Sequence, residues 1–157
     1  MKKNPMEVLP TEELEDALEQ TRPGGLGTYF RENEEALLTG EKPFADYMRR
    51  LMKEKGLLQQ EVFLAADIPE TYGYRLISQE RHTRQRDVIL RLCFGARFTL
   101  KETQRALRLA GQEELYARIK RDAALILALN EGMKVDQVNE LLVSYGFEPL
   151  KKSGKND

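Results

Sequence analysis

The chain has 157 residues, 41% of them hydrophobic and 32% charged, a balance that supports a packed core and excludes an intrinsically disordered chain. Its longest strongly apolar run, residues 123–129, is far too short to cross a bilayer, and no apolar stretch follows the lysines of MKKNPMEV; a membrane span and a secretory signal are therefore not expected, and a cytoplasmic location is. The net charge of −1 hides a division: residues 1–44 carry 5 basic and 10 acidic side chains, residues 45–121 carry 16 and 10, and residues 122–157 carry 4 and 6.

No stretch shows the strict alternation of a half-buried strand, whereas helical spacing recurs throughout, so the chain reads as all-α. Thr11 to Gln20 forms a short acidic helix, with Thr11 as its cap and Glu12 and Glu13 where the helix dipole favours negative charge. Arg22-Pro23-Gly24-Gly25 breaks it, and Tyr29 to Leu38 makes a second helix with Phe30, Leu37 and Leu38 as its apolar residues, ended by Gly40. Pro43 opens the next helix; Phe44, Tyr47, Met48, Leu51 and Met52 line one buried face, and Gly56 stops it. Two short helices follow, Gln59 to Ala66 and Glu70 to Ser78, joined by the turn Asp67-Ile68-Pro69. After a loop, Gln85 to Phe94 carries Val88, Ile89, Leu92 and Cys93 as core candidates. Thr99 and Glu102 then make a capping-box pair, in which hydroxyl and carboxylate satisfy each other's open N–H groups, for a helix that stops at Gly111.

Glu113 to Asn130 reads as one long helix or as two broken near Lys120, and its half AALILAL is apolar all round, which requires burial. Val135 to Tyr145 is a last amphipathic helix closed by Gly146, and residues 151–157 are expected to be a disordered tail. The domain plan is an acidic helical extension over 1–42, a core domain over 43–111 and a C-terminal helical extension over 112–150. The stripe Leu125, Leu129, Val138, Leu141, Leu142 and Tyr145 covers the core domain or forms a homodimer face, the intramolecular reading being preferred.

Two short helices on a three-residue turn, within five helices spanning under seventy residues, are a specific arrangement. Gly56-Leu57-Leu58-Gln59-Gln60-Glu61-Val62, with Ala66, Ile68 and Leu76, resembles the helix-turn-helix of lambda-repressor/Cro-like (XRE-type) domains, over Phe44 to about Ala110. The resemblance implies a five-helix lambda-repressor-like domain with extra N- and C-terminal helices. It implies binding of double-stranded DNA as a transcription regulator, with the first motif helix across the phosphate backbone and the second in the major groove. Carried over by position, Gln59 bonds a phosphate, Glu70, Thr71, Tyr72, Tyr74 and Arg75 face the groove, and Arg81, His82 and Arg84 follow the backbone. The surplus of cations in residues 45–121 fits a phosphate-binding surface, and equally a solvated arginine-rich one.

The sequence departs from that pattern at several places. Leu58 stands for a capping Ser or Thr, Asp67 for a turn glycine and Pro69 for a capping serine. Gly73 replaces a core Val or Ile, leaving space for a tyrosine to fill; Ile77 replaces a polar residue, and Glu70 puts a carboxylate where phosphate would repel it. These departures motivate an alternative: a helical adaptor that keeps the scaffold and binds a protein. Other chemistry is thin. Gly24-Gly25-Leu26-Gly27-Thr28 lacks the GK[ST] ending of a phosphate loop and reads as a linker. His82 and Cys93 are the sole histidine and cysteine, too few for a metal site; Cys93 reads as core, and no nucleophile–base set suggests an enzyme or a cofactor.

Overall fold

The computed structural model describes residues 11–34, 37 and 42–152, and among them every regular element is helical. The chain divides into two compact units, Met1–Glu41 and Lys42–Asp157. In the first, α1 (Thr11–Glu19) and α2 (Leu26–Glu32) are joined through a single 3-10 turn, Pro23–Gly25. The Gly24-Gly25-Leu26-Gly27 stretch expected to be a linker is thus helical, and α2 lies earlier than Tyr29 to Leu38. Pro23 explains the shift, because its fixed φ suits the first position of a helical turn. Tyr29 is the buried residue of α2, while Phe30 is 51% exposed against expectation. Leu38, Gly40 and the Thr11 side chain lie outside the described residues.

The second unit runs through α3 (Pro43–Glu54), α4 (Gln59–Ala66), α5 (Glu70–Ile77), α6 (Arg86–Gly95), α7 (Leu100–Leu109), α8 (Lys120–Asn130) and α9 (Val135–Ser144). α6 is its centre. Residues Asp87 to Phe94 are all buried, because α4, α7 and α9 pack on different sides of it. Gly95 permits a close approach of α4: a Cβ there would lie 2.8 Å from the Val62 carbonyl oxygen and 3.1 Å from the Ala66 Cβ. α3 buries the expected face, Phe44, Tyr47, Met48, Leu51 and Met52, together with Ala45. Each such large side chain, fully buried, contributes about 1.5–3 kcal/mol. Left-handed Gly56 ends that helix, and the Thr99–Glu102 capping box starts α7 with reciprocal bonds of 3.2 and 2.8 Å.

The C-terminal part differs more from expectation. α8 begins only at Lys120, and residues 112–119 form no α-helix. Leu115 is buried there, and the Gln104 side chain accepts from its N–H at 2.7 Å and donates to its carbonyl at 2.8 Å, tying the segment to α7. α8 is not buried all round: Leu125, Ala128 and Leu129 face the core, whereas Leu127 is 50% exposed. Of the stripe offered as a core cover or a dimer face, Leu125, Leu129, Val138 and Leu142 are buried within one protomer, and Tyr145 is 71% exposed beyond the end of α9.

Two reciprocal ion pairs tie α6 to α8. Arg86 donates to Asp122 at 3.1 and 2.6 Å, and Arg121 donates to Asp87 at 3.0 and 2.9 Å. Beyond α9 the chain returns over this junction. Leu150 is buried, its N–H donates to Asn139 Oδ1 at 2.8 Å, and the Lys151 N–H donates to Asp87 at 3.1 Å. Arg91, itself buried, donates to the carbonyls of Ala66, Leu150 and Lys151 at 3.0, 2.6 and 3.0 Å. Lys151 and Lys152, expected in a loose tail, are therefore anchored; residues 153–157 lie outside the described set.

Candidate nucleic-acid interface

The candidate surface is built on α4, the three-residue turn 67–69 and α5. α4 starts at Leu58 without a side-chain cap, as its apolar side chain dictates. It ends in left-handed Asp67 (φ 54°), whose C-cap amides bond back to Leu64 and Phe63. The Asp67 carboxylate pairs with the Lys152 ammonium at 2.6 Å, which holds this exposed carboxyl below its ordinary range. Ile68 is buried, so the turn is pinned from both sides: apolar burial inside, an ion pair outside.

α5 packs against α4 through an exchange of volume. Gly73 carries no side chain because the Phe63 ring fills its place: a Cβ there would lie 2.5 Å from the ring. Tyr74 then meets the same ring edge-on, with centroids 4.9 Å apart. The gap that sequence assigned to a tyrosine is thus filled by Phe63 from the neighbouring helix, and Tyr74 only flanks it. Leu76 and Ile77 are both fully buried, so Ile77 is a core residue.

What remains outward on α5 is Glu70, Thr71, Tyr74 and Arg75, with Tyr72 half-buried. Glu70 lies in the first turn, where the dipole favours its charge, and its carboxylate accepts a 3.0 Å bond from Gln60 Nε2. Gln60, which sequence reasoning passed over, therefore orients it. Gln59, the expected phosphate ligand, is half-buried at the start of α4.

The loop after α5 is held at three points. Gln79 is left-handed (φ 61°), and its Oε1 accepts from the Ala45 N–H at the start of α3 at 2.9 Å. The Arg81 N–H donates to the Arg75 carbonyl at 3.1 Å. Thr83 is buried; its hydroxyl accepts from the Gln85 N–H at 3.1 Å and its carbonyl from Gln112 Nε2 at 2.9 Å. This folding back sets the Arg81 guanidinium over the Tyr72 ring, 6.0 Å from its centroid. Arg75, Arg81, His82 and Arg84 are all exposed, and none of them makes an ion pair among the described residues. By contrast Arg86, Arg91 and Arg121 are committed to partners within the fold, so part of the segment's positive charge is already compensated.

The structure thus joins Tyr72, Arg75 and Arg81, and places Glu70 with Gln60; no described contact links His82, Arg84 or Gln59 to that group. The two identical Arg-Asp doublets, Arg86-Asp87 and Arg121-Asp122, were a signal in the sequence for the α6–α8 junction. Cys93 is a core residue; burial pushes its thiol up to about 12. Among the described residues no cluster of three or more His, Cys, Asp or Glu could hold a metal, and no helix is long and apolar enough to cross a membrane. In comparisons with protein families, curated proteins and solved structures, nothing matches this chain.

Proposed function

We propose that the chain binds double-stranded DNA through the segment Gln59 to Arg84 and acts as a transcription regulator, with α5 as its reading helix. The observation that carries this reading is the exposed cationic group Arg75, Arg81 and Arg84, set on and just after α5 in a loop anchored through Gln79 and Thr83. An anchored loop loses little conformational freedom on binding, and guanidinium groups neutralise phosphates and release counterions. On this reading Arg81 and Arg84 contact the backbone. Thr71, Tyr74 and Arg75 reach base edges, and Glu70, oriented by Gln60, accepts from a cytosine amino group.

The test is binding to labelled duplex DNA across a salt series. Affinity should fall steeply as salt rises, and each of Arg75→Ala, Arg81→Ala and Arg84→Ala that removes a phosphate contact should lower the log–log slope by about 1. Absence of affinity even at low salt, or a slope untouched by all three changes, sinks the reading.

One observation favours a protein-binding role instead. Leu64 on α4 is 82% exposed, and Leu58 at its N-cap is 63% exposed. Under that reading Leu64→Glu abolishes capture of a protein partner while the three arginine variants leave it intact.

A further inference from the structure

Seven helix ends in the described residues turn through left-handed backbone. Glycine occupies four of them, and Asp67, Gln79 and Arg97 occupy the others. A side chain at such a position is retained against a conformational cost. Asp67 pairs with Lys152, and Gln79 caps the start of α3. Arg97 (φ 56°) has no ion pair or side-chain hydrogen bond among the described residues, and its side chain is exposed on a cleft of about 230 Å³.

The cleft lies between the α6–α7 turn and the α8–α9 turn. Phe94, Phe98, Leu129 and Met133 supply its apolar lining. Phe98 is held edge-on by Tyr47, with centroids 6.4 Å apart, so that wall is fixed. Glu131, also exposed, lines the same cleft, and it does not pair with Arg97. A cation and an anion that share one small apolar cleft without closing on each other match a zwitterion with an apolar body.

We propose that this cleft binds a free α-amino acid with an apolar side chain. Arg97 takes the carboxylate, Glu131 takes the ammonium, and the side chain lies against Phe94, Phe98, Leu129 and Met133. This site is separate from the arginines after α5, and its test needs no DNA.

The experiment is an amide-resonance titration of the full chain with L-leucine, with 4-methylpentanoate (the same body without the ammonium) and with isoamylamine (without the carboxylate). Leucine should shift the resonances of residues 97–99 and 130–133 saturably, and each singly charged analogue should bind about 10-fold more weakly, the loss expected for one charge-assisted contact. Arg97→Gly relieves the left-handed strain, so the fold is retained while leucine binding is lost. Glu131→Gln should lower leucine affinity to that of 4-methylpentanoate. The proposal is overturned if leucine gives no saturable shift, if Arg97→Gly leaves the shifts unchanged, or if 4-methylpentanoate binds the native chain as tightly as leucine.

Discussion

Phe63 and Gly73 occupy one volume between them, on α4 and α5 respectively, and the pair behaves as a single packing unit. A methyl group at position 73 would lie 2.5 Å from a ring that is itself 1% exposed, with nowhere to retreat. Gly73→Ala should therefore cost about 1–3 kcal/mol, even though alanine is the better helix former. Combined with Phe63→Leu, the same change should cost less than the two single costs added. Urea unfolding of all four proteins checks this, and strict additivity would contradict the shared-volume account. From sequence alone Gly73 read as a defect in a core position. Its partner lies ten residues away on another helix, and nothing in local periodicity reports that meeting.

Two buried protons make a second prediction at this scale. Burial raises the Cys93 thiol from its ordinary 9.0 to about 12, and burial above all, then the Glu102 carboxylate, raises the Tyr47 hydroxyl above its ordinary 10.0. Above about pH 9 the unfolded chain loses these protons while the folded chain keeps them. The folded state then binds more protons, so stability falls as pH rises. Tyr47→Phe should flatten the fall between pH 10 and 11, measured by unfolding at fixed temperature. An unchanged profile would show that other groups dominate.

Between elements, the α6–α8 junction shows how two adjacent doublets can orient a helix. Arg86 and Asp87 on α6 face Asp122 and Arg121 on α8, each cation opposite the other helix's anion. Asp122 is 1% exposed and also accepts from the Tyr116 N–H at 2.9 Å, so it fixes the start of α8 as well as its partner. Asp122→Asn should destabilise by about 3–5 kcal/mol, because it strands the Arg86 charge; a double replacement by methionine at 86 and 122 should cost less than the single change. Denaturant midpoints decide the order, and the reverse order would mean that packing rather than charge holds the junction. The helices from α3 to α7 were legible from periodicity and turn residues, whereas α2 was read three residues too late. α8 was not, since AALILAL carries no polar face in the sequence, and only its contacts with α7 and α9 select which side is buried.

For the whole molecule, the division of charge coincides with the division into compact units. Residues 1–41 carry 4 basic and 10 acidic side chains. Removing them changes the net charge from −1 to +5 in residues 42–157. That fragment holds α3 to α9 and every ion pair described above, so it should unfold in one cooperative transition. If the proposed DNA contacts hold, it should also bind duplex DNA more tightly than the full chain at low salt, the difference vanishing as the Debye length shrinks to about 3 Å near 1 M. Equal affinities at low salt would show that the acidic unit exerts no field on the surface.

The sequence by itself determined an all-helical chain, the buried faces of α3 and α6, the capped start of α7 and the place of the α4–turn–α5 pair. Those features follow from local rules of spacing, dipole and backbone conformation. Tertiary structure decided the rest. It chose which arginines have internal partners, paired Phe63 with Gly73, and brought residues 150–152 back onto Arg91, Asp87 and Asp67. Charge and volume are matched between segments as far as 85 residues apart in the chain, as Lys152 and Asp67 are, and a match at that separation depends on the path of the backbone between them.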